Sequence, residues 1–287
     1  IARGWTQPGG RPHAEAVALT AAGDAARGGT LYVTLEPCAH ASERGPACAD
    51  LVAASGLSRV VIGCEDPDPR TAGGGIARIR SAGIAVDVID SPKAKSSLSG
   101  YLCCKVHDRP EVTLKLALSL DGCIALADGE SQWITGDAAR AHTHAMRAKA
   151  DAILVGGATL RSDAPRLDVR LPGLAERSPE RWVLTWGDPP EGWKALASPE
   201  TISSMAGVQY LFVEGGAKTA AAFLRAGLVD KLLIYRAPIV VGGGMAAISD
   251  IGLGKLADAH GQWLFCERRQ LGSDTLEVYR RNPCSPE

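Results

Sequence analysis

The feature that most constrains this chain is an alternation of short β-branched runs and helical stretches that stops part-way along and then starts again. Residues 30–36 (TLYVTLE), 58–64 (SRVVIGC) and 84–89 (IAVDVI) read as strands, and the stretches near 47–54 and 74–82 carry helical spacing. Strands fed by helices in this way build a layered α/β unit, because each helix can bury its apolar stripe only against a sheet face. From Ser91 to Pro110 the sequence turns polar, ending in Asp108-Arg109-Pro110, and beyond that point the alternation resumes. Strands at 111–118, 123–127, 151–155, near 181–186, 209–214 and 231–236 are interleaved with helices at 137–149 and 217–226. Runs 263–269 and 274–281 close the chain as a hairpin around Gly272-Ser273. Two α/β domains are therefore expected, 1–108 and 109–287.

Composition narrows the partners. A formal net charge of −1 over 287 residues offers no clustered basic surface for a phosphate backbone, so nucleic acid is not an expected partner. No run approaches the ~20 apolar residues of a membrane span and no charged-then-apolar leader opens the chain, so no membrane contact and a cytoplasmic protein are expected. Eight cysteines lie scattered along a chain far longer than disulfide-stapled secreted domains, which favours metal ligation or burial over bridges. The chain opens at Ile1 just before a Gly4-Trp5-Thr6-Gln7-Pro8-Gly9-Gly10 turn, and an upstream part is expected to be absent from it.

Four residues carry the chemistry of the first half. His13 and Glu15 stand two apart, Cys38 follows Pro37 at the end of run 30–36, and Cys48 follows the Gly45-Pro46 turn. One imidazole and two thiolates make up the three protein ligands of a catalytic zinc site, which keeps its fourth position for water. Residues two apart do not share a helix face, so His13 and Glu15 reach one ion only if His13 sits at a helix boundary. Pro12 is tolerated at a helix start, and the Ala14–Leu19 run that follows is a good helix former. Cys38 and Cys48 each precede or enter a helical stretch, whose positive end favours the thiolate. Taken singly, His13 reads as a surface histidine and the cysteines as small buried hydrophobes. Taken together and in this order they read as a metal centre, with Glu15 left free for proton transfer. Cys64, Cys103, Cys104, Cys123, Cys266 and Cys284 lack ligand partners at metal spacing and read as structural.

The His-x-Glu and Pro-Cys pattern resembles that of the cytidine-deaminase-like zinc deaminases, although the second cysteine lies further on than their Pro-Cys-x-x-Cys spacing. A nucleic-acid or tRNA editing deaminase with an accessory domain is one reading of that pattern, and the neutral charge and lack of a basic, aromatic-rich stripe speak against it. A binding protein with structural zinc would need four protein ligands, where the sequence offers three. The longer gap, with GWTQPGGRPHAEAVAL at 4–19, TLEPCAH at 34–40 and EDPDPR at 65–70, resembles the deaminase half of the bifunctional riboflavin biosynthesis deaminase/reductases. That resemblance implies a cytidine-deaminase-like three-layer α/β/α fold, Zn²⁺ held by His13, Cys38 and Cys48, and Glu15 as the proton shuttle. The implied partner is a small-molecule pyrimidine ribonucleotide, 2,5-diamino-6-ribosylamino-4(3H)-pyrimidinone 5′-phosphate. Two departures stand out. The family's Gly-Arg-Thr-Pro-Pro-Cys run is here Ala41–Cys48, leaving Arg44 for the phosphate, and the family's opening helix and hairpin with a Pro-Asn-Pro turn lie before Ile1.

The second half resembles the reductase half of the same family, through VTLKLALSLDGCIALADGESQWITG from Val112, RAKADAILVGGATLRSDAPRLDVR and YLFVEGGAKTAAAFLRAGLVDKLLIY. The resemblance implies a dihydrofolate-reductase-like α/β fold, an NADPH cofactor and a homo-oligomer. It places the cofactor on Ala117, Trp133, Thr159, Asp163, Gly216, Ala217, Lys218 and Thr219, and the substrate on Ser131, Arg147, Leu167, Arg170 and Glu214, with Arg147 and Arg170 on its phosphate. The residues themselves leave alternatives open. Asp121-Gly122 between apolar strands is a hairpin signal, Trp133 is compatible with a core cap, and Thr159 and Asp163, four apart, with a capped helix end. Arg147 on a polar helix is compatible with a solvated surface residue. Glu214-Gly215-Gly216 ends a strand and opens a helix, where backbone N–H groups can receive an anionic phosphate. Between Arg170 and Tyr210 the sequence is shorter and poorer in strand than this resemblance calls for, and missing residues are expected there, for instance around Trp186-Gly187.

Overall fold

A computed structural model describes residues 1–40 and 43–283, so Cys284 lies outside the described residues. The chain forms two compact units, Ile1–His107 and Asp108–Glu287.

The first unit runs α1 (Ala14–Ala22), β1 (Thr30–Leu35), α2 (Cys48–Ala54), β2 (Arg59–Cys64), α3 (Gly74–Ser81), β3 (Ala85–Val88), α4 (Pro92–Ser97) and α5 (Ser99–His107). Its sheet is parallel in the order β1-β2-β3. Alternation along a strand sends successive side chains to opposite faces. On β2, Val60 and Ile62 are fully buried in one core with Val52 of α2 and with Ile76 and Ile79 of α3. The other face of β2 meets α4 so closely at Gly63 that a Cβ there would lie 2.6 Å from the Ala94 Cβ. The layers are thus helix, sheet, helix. The polar segment that leads to the expected domain boundary is folded as α4 and α5 within the first unit. Serine-rich and short of an apolar stripe, it gains its helices from tertiary partners, among them the Tyr101 hydroxyl donating to Asp66 at 2.8 Å.

Both strands that lead to the site end at their carboxyl tips beside one another, where α/β sheets hold ligands. Glu36, just past β1, is buried and accepts backbone N–H bonds from Asp66 (3.3 Å), Gly73 (3.1 Å) and Ile76 (3.0 Å), tying the loop after β2 to the loop that carries Cys38. Gly75 passes so near that a Cβ would lie 2.1 Å from the Pro37 carbonyl oxygen. Backbone cannot give way as a flexible side chain can, so Gly75→Ala is expected to lower stability by about 1–3 kcal/mol. Thermal melting checks this, and an unchanged midpoint would show that the two loops can part without cost.

The second unit contains β4 (Glu111–Leu118), β5 (Cys123–Ala125), α6 (Asp137–Arg147), β6 (Ala152–Gly156), α7 (Gly157–Asp163), β7 (Glu180–Leu184) and β8 (Lys194–Leu196). It continues with β9 (Tyr210–Val213), α8 (Ala217–Arg225), β10 (Lys231–Arg236), β11 (Met245–Ala246), β12 (Trp263–Leu271) and β13 (Asp274–Arg281). Eight strands make one sheet in the order β12-β13-β10-β4-β9-β6-β7-β8, antiparallel at the β12/β13/β10 end and parallel from β10 to β8. The two sheet faces carry separate cores: Leu114, Leu154, Leu211 and Phe223 in one, and Ile153, Val155, Phe212 and Tyr235 in the other. Neighbouring residues of one strand, such as Leu211 and Phe212, thus fall on opposite sides.

Asp121-Gly122 does make a tight turn, with the Cys123 N–H donating to the Ser119 hydroxyl at 2.9 Å. The expected hairpin is nevertheless corrected, because β5 pairs with β11 in a separate two-stranded sheet. Asp121 explains the departure: its carboxylate accepts from the backbone N–H groups of Val241 (3.1 Å) and Gly242 (2.8 Å), which brings the chain that leads into β11 up to the turn. The segment expected to be poor in strand holds β7 and also β8, at the sheet edge. Among the described residues no helix is long and apolar enough to cross a membrane.

Candidate active sites

His13 is the N-cap of α1, in extended backbone, and the helix begins at Ala14, so Glu15 lies in its first turn. The boundary position required by the two-residue spacing is therefore met, and Glu15 is buried beside the histidine. Cys48 is the first residue of α2. Cys38 follows β1 but opens no helix among the described residues; instead the Cys48 backbone N–H at the start of α2 donates to its sulfur at 3.3 Å. The His13 Nδ1 lies 3.6 Å from the Cys38 Sγ and 3.3 Å from the Cys48 Sγ, and all three donor atoms fall within 4.8 Å of one another.

These distances fit a zinc ion. Bond lengths of ~2.3 Å to sulfur and ~2.0 Å to imidazole place the N and S corners of a tetrahedron about 3.6 Å apart. The electrostatics agree. Hydrogen bonds from Cys48 and then from His13 hold the Cys38 thiol down at about 3 despite its burial. Cys48 is pushed far up in return, because it donates to the Cys38 sulfur and because burial and the nearby Glu15 penalise a second anion. Two sulfurs sharing one proton present what a divalent cation displaces on binding. His13 is raised, first by its bond to Cys38. Burial raises the Glu15 carboxyl, moving it toward the range in which a carboxyl can both take and give a proton.

Several neighbours escaped the sequence reading. The Arg11 guanidinium donates to the Cys38 sulfur (3.7 Å) and to the Pro46 carbonyl (3.0 Å), and its single signal in the sequence is its place beside Pro12-His13. EDPDPR proves to be a scaffold loop. Asp68, buried, binds Arg70 at 2.6 Å and Lys105 at 2.9 Å, and these cations hold its carboxyl far below the usual range. Thr71 then accepts the Ala39 N–H at 3.4 Å, backing the segment after Cys38. Arg44, left for the phosphate, donates to the Gly9 carbonyl at 2.7 Å. The described cysteines are all free, with Cys64, Cys103 and Cys123 buried as structural residues should be, but Cys266 is exposed.

In the second unit a cavity of about 740 Å³ opens at the carboxyl ends of the parallel strands, and every residue that the resemblance assigns to cofactor or substrate lines it. Ala117 comes from β4, Ser131 and Trp133 from the loop before α6, Arg147 from the end of α6, and Thr159 and Asp163 from α7. Leu167 and Arg170 lie on the following loop, and Glu214, Gly216, Ala217, Lys218 and Thr219 span the turn from β9 into α8. Leu167 is buried with φ +56°, a left-handed backbone that a bulky residue rarely adopts and that gathers at functional sites. The β6–α7 and β9–α8 turns close on each other: a Cβ at Gly156 would meet the Thr219 hydroxyl at 2.2 Å, and one at Gly215 the Thr219 Cβ at 2.4 Å. Two helix starts consequently sit side by side at the cavity wall. Trp133 is 65% exposed, with the Arg140 guanidinium 4.8 Å from its ring centroid, so the core-cap reading of Trp133 fails.

Arg147 is no solvated surface residue. Its guanidinium is held by both Glu214 oxygens, at 2.6 and 2.9 Å, and by the Asp168 carbonyl at 3.1 Å. Lys115, which the sequence reading passed over, stands 3.8 Å from Glu214. Burial alone would raise the Glu214 carboxyl, but Lys115 and Arg147 outweigh it and hold it below the usual range, while burial pulls the Lys115 ammonium down. Arg170 is half exposed at 51% and 3.5 Å from Asp168.

A centre of three donor atoms beside a buried carboxylate, and a second unit with a nucleotide-sized cavity over parallel strand ends, define a two-unit enzyme whose first unit is a zinc-binding deaminase. Comparison with known proteins agrees. The cytidine and deoxycytidylate deaminase zinc-binding region matches residues 1–64, and the RibD C-terminal domain matches residues 110–188 and 200–275. The riboflavin biosynthesis protein RibD of Escherichia coli (strain K12) is 36% identical, over 96% of this chain and 88% of that protein. Its counterpart from Mycobacterium tuberculosis (strain ATCC 25618 / H37Rv) is 37% identical, over 96% and 85%. Among solved structures, Acinetobacter baumannii RibD superposes with a TM-score of 0.85 at 32% identity, over 94% of this chain and 86% of that one. The diaminohydroxyphosphoribosylaminopyrimidine deaminase/5-amino-6-(5-phosphoribosylamino)uracil reductase of Thermotoga maritima gives 0.83 at 29%, over 95% and 86%. The chain belongs to the RibD family of riboflavin biosynthesis proteins. The expected pairing of a deaminase-type α/β/α unit with a reductase-type α/β unit holds, and the editing-deaminase alternative is not favoured.

Proposed function

We propose that the first unit hydrolytically deaminates 2,5-diamino-6-ribosylamino-4(3H)-pyrimidinone 5′-phosphate, and that the second reduces 5-amino-6-(5-phosphoribosylamino)uracil to its ribityl product with NADPH. The observation that carries the reading is the convergence of His13, Cys38 and Cys48 beside the buried Glu15. Zinc, when bound by those three, supplies a Lewis acid that makes water nucleophilic near neutral pH. Glu15 would take a proton from the attacking water and deliver it to the exocyclic amine: the water oxygen bonds to the ring carbon, and the C–N bond then breaks as ammonia leaves.

In the second unit the chain binds and orients, since hydride transfer belongs to the nicotinamide. The amides of Gly216–Thr219 at the start of α8 suit a cofactor phosphate, and Thr159 and Asp163 flank them from α7. Trp133 offers an exposed ring for the cofactor at the cavity mouth. Ser131, Leu167 and Arg170 face the substrate, with Arg147 reaching it from its bond to Glu214. The test is one assay with two readouts, following ammonia release and NADPH absorbance separately on the diaminopyrimidine ribonucleotide. Both signals are expected from the whole chain, and Asp163→Ala should weaken NADPH binding about tenfold, the worth of one lost hydrogen bond to a charged group, with ammonia release unchanged. Ammonia release that fell in parallel would break the division of labour.

A further inference from the structure

We infer that Arg11 is a positioning residue of the metal centre, a cationic clasp that donates to a ligand sulfur and joins the segments that carry the ligands. The inference rests on the metal-site reading above and goes beyond it. One guanidinium spans the site: Arg11 precedes His13 by two residues on the extended segment entering α1, its Nη2 donates to the Cys38 Sγ at 3.7 Å, and its Nη1 donates to the Pro46 carbonyl at 3.0 Å, two residues before Cys48. All three ligand segments are thus linked through it. Gly45, just before Pro46, adopts φ +136°, a backbone that L side chains rarely take, so a glycine makes the turn that presents the Pro46 carbonyl to Arg11.

Charge counting gives the clasp a purpose. A divalent cation with two thiolates and a neutral imidazole is a neutral centre, and the buried Glu15 adjoining it brings an anion in its proton-accepting state. Arg11 brings a cation into contact with that centre. An N–H donor on a thiolate also draws electron density from sulfur, which fixes its lone pairs and makes it harder to oxidise. Partners of this outer kind typically change metal affinity 10–100-fold. Arg44 is a natural control, since it ties the same loop to Gly9 at 2.7 Å through a carbonyl.

The experiment uses the full chain with Zn²⁺ and Co²⁺ as probes. Competition with a chelator gives the Zn²⁺ affinity, and the sulfur-to-Co²⁺ charge-transfer band reports the electron density on the ligand sulfurs. Arg11→Met should weaken Zn²⁺ binding by about 10–100-fold and move the band to lower energy, because the sulfur loses its donor. Arg11→Lys, which keeps a charge and a donor, should recover part of both, and it also serves if the methionine variant folds poorly. Arg44→Met should leave the band in place. A band that stays put in Arg11→Met overturns the inference whatever the affinity does. If the parent chain binds neither metal, it is the metal-site reading that fails.

Discussion

Replacing Glu15 with glutamine is expected to lower deamination by about 10²–10⁴-fold, the range supplied by a positioned proton-transfer group, while zinc content stays as it is and so does NADPH oxidation when 5-amino-6-(5-phosphoribosylamino)uracil is supplied directly. The substitution is nearly isosteric, so the first turn of α1 and the His13 cap should be preserved. A carboxamide can neither accept the proton of the attacking water nor deliver it to the leaving amine. The three metal-facing atoms come from other side chains, with the two sulfurs on segments outside α1, so the ion should remain. Ammonia release, zinc stoichiometry by elemental analysis and NADPH absorbance on one preparation give the three readouts. Zinc loss in this variant would mean that Glu15 holds the metal instead of moving protons. Ammonia release at the parental rate would mean that another group does its work.

Why the metal centre could be read in advance, and the reductase site only through resemblance, has a physical cause. His13, Cys38 and Cys48 are rare residue types at constrained places, and strand 30–36 delivers Cys38 to a sheet end whatever else the fold does. Most long strands were legible for a similar reason. The run at 111–118 matches β4 residue for residue, and 231–236 matches β10, because the alternation Val112, Leu114, Leu116, Leu118 and the apolar stretch Leu232–Tyr235 are both strand signals. Elements made by their partners were not legible. β8 and β11 hold three and two residues, too few for any periodicity, and α4 and α5 are polar helices anchored by contacts such as Tyr101 with Asp66. The Arg147–Glu214 pair was equally hidden. Each residue was expected at the substrate, but nothing local says that a residue ending α6 will grip one 67 positions later at the end of β9. Arg11 is the same lesson at the metal site, a side chain of common type whose meaning lies in what the fold brings to it.

That hidden pair sets the second large effect, because Glu214→Leu should destabilise the reductase unit by about 3–5 kcal/mol, the usual cost of stranding a buried charge. Arg147 and Glu214 expose 12% and 8% of their side chains, so neither can turn to water when the other is lost. Lys115 adds a second cation that the same carboxylate serves. For a unit of this size each kcal/mol moves the melting midpoint by roughly 2–4 °C, so a shift of about 6–20 °C is expected, together with loss of NADPH oxidation and unchanged ammonia release. Acid should mimic the substitution. The Glu214 carboxyl lies below its ordinary value when folded, so its stabilisation is present above the unfolded value, about 4.3, and is lost as pH falls through the folded one. The double variant Arg147→Met with Glu214→Leu discriminates between causes. Removing both charges leaves no stranded guanidinium, and Lys115, whose ammonium burial already pulls down, can shed its proton, so much of the stability should return, yet NADPH oxidation should not. A double variant as unstable as Glu214→Leu alone would show that the pair matters through shape and packing, and that the charge argument at this cavity is wrong.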